Sequence, residues 1–109
     1  MDQATAHHRA RLLETNIGRI LTNASEHADR ATSATIRVLK QSMVEARLDV
    51  RDYELADSRA DQLRHAREAR QRLLMVRQQI LVLSQDNIFG AAEVAHLSAT
   101  IDQLSAVLT

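Results

Sequence analysis

The sequence holds no cysteine, no proline and no tryptophan, and its 109 residues include only two glycines, one tyrosine and one phenylalanine. Without cysteine there is no disulfide scaffold and no thiolate zinc site. Sandwiches and barrels need frequent turn residues and aromatic or β-branched strands, and neither is supplied. No sign of charge dominates: 14 Lys and Arg face 14 Asp and Glu, so the basic surplus of a nucleic-acid binder is missing. The longest purely aliphatic runs, such as 80–83, are four residues, against about 20 for a membrane-spanning helix. His7, His8, Arg9 and Arg11 are followed by no apolar signal-peptide core, and the cytoplasm is the expected compartment.

What remains is a helix-forming chain. Between Gly18 and Gly90 lie 71 residues without Gly or Pro, led by Ala, Leu, Arg and Gln, which lose little side-chain freedom in a helix. At about 100° per residue, Leu13, Ile17, Ile20, Leu21, Ala24, Ala28, Ala31, Thr35, Val38, Leu39 and Ala46 share one apolar arc, which predicts a first helix over about 4–46. The seam is large and aliphatic at 13–21, then Ala, Ser and Thr through residue 35. Such small residues bury little area, so this stretch is either a close helix crossing or a weak spot. Past Ala46 the stripe fails, because Asp49 and Asp57 rotate onto the apolar side while Leu48 and Leu55 rotate off it. A turn or kink is expected within 47–57, the alternative being one unbroken rod. Ser58, with Asp61 three residues on, has the spacing of an N-cap and starts a second helix over 58–84.

In that helix Ala66, Ala69, Leu73, Val76, Ile80 and Leu83 form one row, and Leu63, Leu74 and Leu81 form another about 110° away, which predicts two neighbouring helices. Arg70 and Arg77 project between the rows, where their heads must reach water or a carboxylate. Ser84, Gln85, Asp86 and Asn87, with Gly90 close behind, make a turn. Val94, Leu97, Ile101, Leu104 and Leu108 then define a last helix over 90–108. The expected fold is all-α: about three long antiparallel helices in a hairpin or bundle, one unit over 1–109. These helices span roughly 64, 40 and 30 Å, so the first outruns the others and leaves part of the 13–31 seam facing solvent. A second copy covering that strip, giving a homodimer, is the simplest completion. If instead the first helix folds back on itself, the strip is core.

Chemistry-bearing clusters are few. Arg64, Arg67, Arg70, Arg72 and Arg77 stand against the single Glu68, and arginines on one helix neutralise phosphates. Nucleic-acid contact through Arg64, Arg67, Arg70 and Arg72 is therefore the alternative function. Those side chains spread around the helix, however, and residues 78–109 carry Asp86, Glu93 and Asp102 with no Lys or Arg, which makes pairing within or between subunits the simpler fate. Glu93 and His96 have the i, i+3 spacing of di-iron bundle ligands, but the pair occurs once and His96 lies about 110° from the centre of its helix's apolar face, so no metal is expected. His65 has no following glycine to admit a partner's backbone and reads as a boundary histidine. His7 and His8 point about 100° apart, and His27 sits at the edge of the first seam with its polar tip out. No phosphate-binding loop, dinucleotide fingerprint or HExxH is present, and no Gly-rich turn exposes a Ser or Thr nucleophile.

No enzyme and no cofactor are expected. The seam that stabilises such a fold is also one that recognises another helix. The expected function is a non-enzymatic interaction module, an adaptor, assembly or chaperone-like protein, with a second copy or a helical client as partner. Its contacts are expected at Leu13, Ile17, Ile20, Leu21, Val38 and Leu39 of the first helix and at Leu73, Val76 and Ile80 of the second.

Overall fold

Where the sequence pattern predicts one helix over 4–46, the chain makes two. The computed structural model describes residues 5–25 and 28–108, which form α1 (Ala6–Ser25), α2 (Arg30–Leu55), α3 (Arg59–Gln85) and α4 (Ala91–Val107). The break falls inside the small-residue part of the seam. Asp29 opens α2 in extended conformation, and its carboxylate accepts the Thr32 N–H at 2.7 Å. An exposed carboxylate at a helix N-terminus satisfies orphan N–H groups and the positive end of the helix dipole. Those hydrogen bonds, from the Thr32 backbone and then its hydroxyl, hold the Asp29 carboxyl below its ordinary value of 3.8. His27 lies outside the described residues.

The interruption expected within 47–57 is real but late and short. α2 runs to Leu55, and Ser58 caps α3 by accepting the Asp61 N–H at 3.1 Å. Asp49, expected to rotate out of register, is instead held by α3, as described below. At the far end of α3 the chain turns through Asn87, whose φ of 61° is the left-handed conformation that Asn tolerates better than most residues. The Ile88 N–H reaches the Leu83 carbonyl and the Asn87 N–H reaches the Ser84 carbonyl, each at 3.1 Å, a closure that satisfies the last carbonyls of α3. Phe89 is buried directly after this turn. The Gly90 N–H then donates to the Glu93 Oε1 at 2.8 Å to open α4.

Each helix packs on its chain neighbours and α1 closes on α4, whereas the backbones of the diagonal pairs α1 with α3 and α2 with α4 stay more than 8 Å apart, Cα to Cα, among the described residues. Paired positions run in opposite directions: His7 and then Glu14 of α1 meet Glu54 and then Arg47 of α2, and Arg70 and then Arg77 of α3 meet Leu108 and then Asp102 at the end of the chain, while Asp49 of α2 meets Arg72 of α3. This is an antiparallel four-helix bundle, with Cα extents of 45 × 28 × 17 Å. Its centre is filled by large side chains from every helix, including Leu13, Ile17, Leu39, Met43, Leu73, Ile80, Leu97 and Leu104, all at most 1% exposed. Folding α1 back over α2 supplies within one chain the cover that the sequence reading assigned to a second copy.

Candidate interaction surface

The expected contact residues divide sharply. Leu13, Ile17, Leu21, Leu39, Leu73, Val76 and Ile80 are 0–1% exposed in the single chain. They have no surface to offer a partner: the break before Asp29 lets α1 and α2 turn Leu13, Ile17, Leu21 and Leu39 inward, and Leu73, Val76 and Ile80 are the inward row of α3, so the interface expected of them is corrected to core. Ile20 sits at the rim, partly buried against that core. Val38 alone among the nine faces solvent, at 48% exposure.

The arginines of α3 form clips rather than a stripe. Arg72 donates through Nε to Asp49 at 2.9 Å and through Nη1 to Glu45, tying α3 to α2. Burial raises the Asp49 carboxyl above its ordinary value, outweighing the opposing pull of Arg72. On the opposite flank Arg77 reaches Asp102 and, at 3.2 Å, the Ser98 carbonyl, while Arg70 donates to the Leu108 carbonyl. Both arginines that project between the two rows thus find acceptors on α4. Arg64 lies 3.4 Å from Asp61 of its own helix, and Arg67 meets no carboxylate among the described residues. Of the four arginines expected to contact nucleic acid, one faces α2, one faces α4 and two remain on the outer surface.

Among the described residues the histidines make local contacts or none. The Glu93 carboxylate is engaged by Gly90 as described, and His96 is exposed beside it on α4. His65 lies 3.8 Å from Glu68. The His7 backbone N–H donates to Glu54, joining the start of α1 to the end of α2. No three His, Cys, Asp or Glu gather as a metal site among the described residues, and no helix there is long and apolar enough to cross a membrane.

The unexpected surface is the outer face of α3. The row Leu63, Leu74 and Leu81, expected to face a second helix, faces solvent instead, at 42–54% exposure. Over residues 71–85 every exposed position of α3 is uncharged: Gln71, Leu74, Met75, Gln78, Leu81, Val82 and Gln85. Met75 and Val82 are 45% and 48% exposed. In a chain with 26% charged residues, a four-turn charge-free face is unusual, and contiguous exposed apolar surface marks an interaction site. Its seven-residue spacing, Gln at 71, 78 and 85 with Leu at 74 and 81, is the period at which one helix presents a continuous seam to another. That repeat stands in the sequence, hidden because the inward row shares the same stretch. On the α2 side the face continues into a groove of about 460 Å³ lined by Val38 and Met75 and bordered by Arg37, Gln41, Ser42 and Glu45.

Two further shallow cavities lie between α1 and α4, sharing Ile20 and Glu93. They are ringed by polar side chains such as Asn16, Arg19 and Asn23 and bring together no nucleophile and base. Comparison with protein-family models, curated proteins and solved structures finds no match, so the function is read from the surface itself.

Proposed function

We propose that the protein is a non-enzymatic, cytoplasmic interaction module that self-associates by packing helices, with the outer face of α3 over residues 71–85 as its docking surface. One observation carries the reading: a charge-free, seven-residue-periodic face left in solvent on a bundle whose own core is already complete. Burying Leu74, Met75, Leu81 and Val82 against another helix removes their apolar area from water at about 25 cal/mol per Å². The glutamines between them have amides that donate and accept, so they enter such a contact without leaving an unpaired charge.

Light scattering over a concentration series tests the proposal. The unaltered chain is expected to rise above its single-chain mass of 12.2 kDa. The double variant Leu74→Glu with Leu81→Glu is expected to stay at that mass while circular dichroism shows helicity intact. A single-chain mass at every concentration for the unaltered protein overturns the proposal.

A further inference from the structure

We infer that the occupant of this face is a second copy of the chain, lying antiparallel along α3 with the two-fold axis at Gln78; the inference rests on the outer face of α3 being the docking surface. A two-fold contact has to be self-complementary, since what one copy presents at one position it must receive back at another. The exposed row meets that condition. Read from either end it runs Gln, apolar pair, Gln, apolar pair, Gln. At about 100° per residue, Leu74 and Leu81 lie on one side of the row's midline and Met75 and Val82 on the other. Reversing the helix about Gln78 keeps each side with itself. Leu74 therefore meets Leu81 of the second copy, and Met75 meets Val82 of the second copy. The two Gln78 amides meet on the axis, where a carboxylate or an ammonium would repel its own image and an amide bonds to it.

Charge selects the orientation. Arg64 and Arg67 continue the same face toward the start of α3, and both are exposed. A parallel pair stacks each arginine against its own image. The antiparallel pair carries Arg67 to the end of the opposite α3, where the opposite charge of Asp86 is exposed. Area points the same way. The row alone is about 21 Å long, a narrow strip beside the roughly 800 Å² per partner of a specific dimer. In the antiparallel arrangement both α2 helices lie on the Met75 side, so Val82 of the second copy enters the Val38 groove and widens the contact beyond one helix.

The absence of native cysteine makes single-cysteine cross-linking the direct test. Full-length Gln78→Cys, Gln71→Cys and Gln85→Cys chains are oxidised mildly, alone and in pairs, beside light scattering of the unaltered chain. Gln78→Cys is expected to link to itself, and Gln71→Cys to link to Gln85→Cys about tenfold faster than either links to itself, because a disulfide forms only between close Cβ atoms. Rapid self-linking of both Gln71→Cys and Gln85→Cys means a parallel pair and overturns the inference while leaving the docking surface standing. So does a dimer mass, abolished by Leu74→Glu with Leu81→Glu, in which no cysteine links. A single-chain mass throughout removes the docking surface itself, and the inference with it.

Discussion

Over residues 71–85, α3 carries Leu73, Val76, Ile80 and Leu83 inward at 0–1% exposure and Leu74, Met75, Leu81 and Val82 outward at 45–54%. The two sets hardly differ in composition, so hydrophobicity does not explain why one is core and the other surface. What separates them is the company between them. The inner row is flanked by Arg72 and Arg77, which fasten it to α2 and α4. The outer row is spaced by three glutamines that fasten to no neighbouring helix among the described residues. A row at helical spacing thus reports that a helix belongs against it, and the flanking side chains report whether that helix is already in the chain.

The sharpest way to break this comparison is to truncate one leucine from each row. Leu73→Ala is expected to cost about 2–5 kcal/mol in urea unfolding, as a cavity in a packed core does. Leu74→Ala, next to it, is expected to change the stability of dilute protein by about 0.5 kcal/mol or less. Equal losses would mean that both rows are core. A smaller effect is expected where the faces share a start: Ser58→Ala removes the cap of α3 and should lower stability by about 1 kcal/mol, while the association of the folded chains, read by light scattering, stays the same.

The smallest effect sharpens the contrast between buried and exposed charge. Asp49 is raised by burial, so the folded chain holds that proton more tightly than the unfolded one. Its charge therefore costs stability above the raised value, and the cost fades as pH falls toward 3.8. Asp29 is lowered by its hydrogen bonds, so its contribution is present above 3.8 and is lost as pH falls through its folded value. Relative to the unaltered chain, Asp49→Asn is expected to gain stability as pH rises through the window above 3.8. Asp29→Asn is expected to lose it as pH rises through the window below 3.8. Urea unfolding at several pH values measures both; slopes of the same sign would contradict the assigned causes.

Much of the bundle is legible in the sequence. The start of α3 follows from Ser58, the turn after it from the polar run at 84–87, and the ion pair of Arg77 with Asp102 from the acidic stretch at 78–109 without Lys or Arg, whereas Arg70, expected at water or a carboxylate, reaches a backbone carbonyl. The break before Asp29 is not. A seam of Ala, Ser and Thr looks continuous to a periodicity argument because its small side chains keep the phase, and no Gly or Pro marks the interruption. Only the cost of leaving residues 13–21 uncovered hints at the return of the chain, and a second copy satisfies that cost equally well on paper. The missed break moves the expected interface from Leu13, Ile17 and Leu21 into the core. It also leaves Leu74 and Leu81, read as facing a neighbouring helix, as the surface in search of one.

Each terminal helix is fastened to the middle helices more closely than to the other, and that sets an order in time. The last turn of α4 is held from two sides, by Arg70 on the Leu108 carbonyl and by the Tyr53 hydroxyl on the Val107 carbonyl at 3.3 Å. α1 is tied to α2 at Glu14 and His7, and its border with α4 is opened by two cavities. Thermal fluctuations release the least-held element first. The border between α1 and α4 should therefore part before α1 leaves α2 or α4 leaves α3, and amide exchange should show the bundle opening along the seam between its first and last helices.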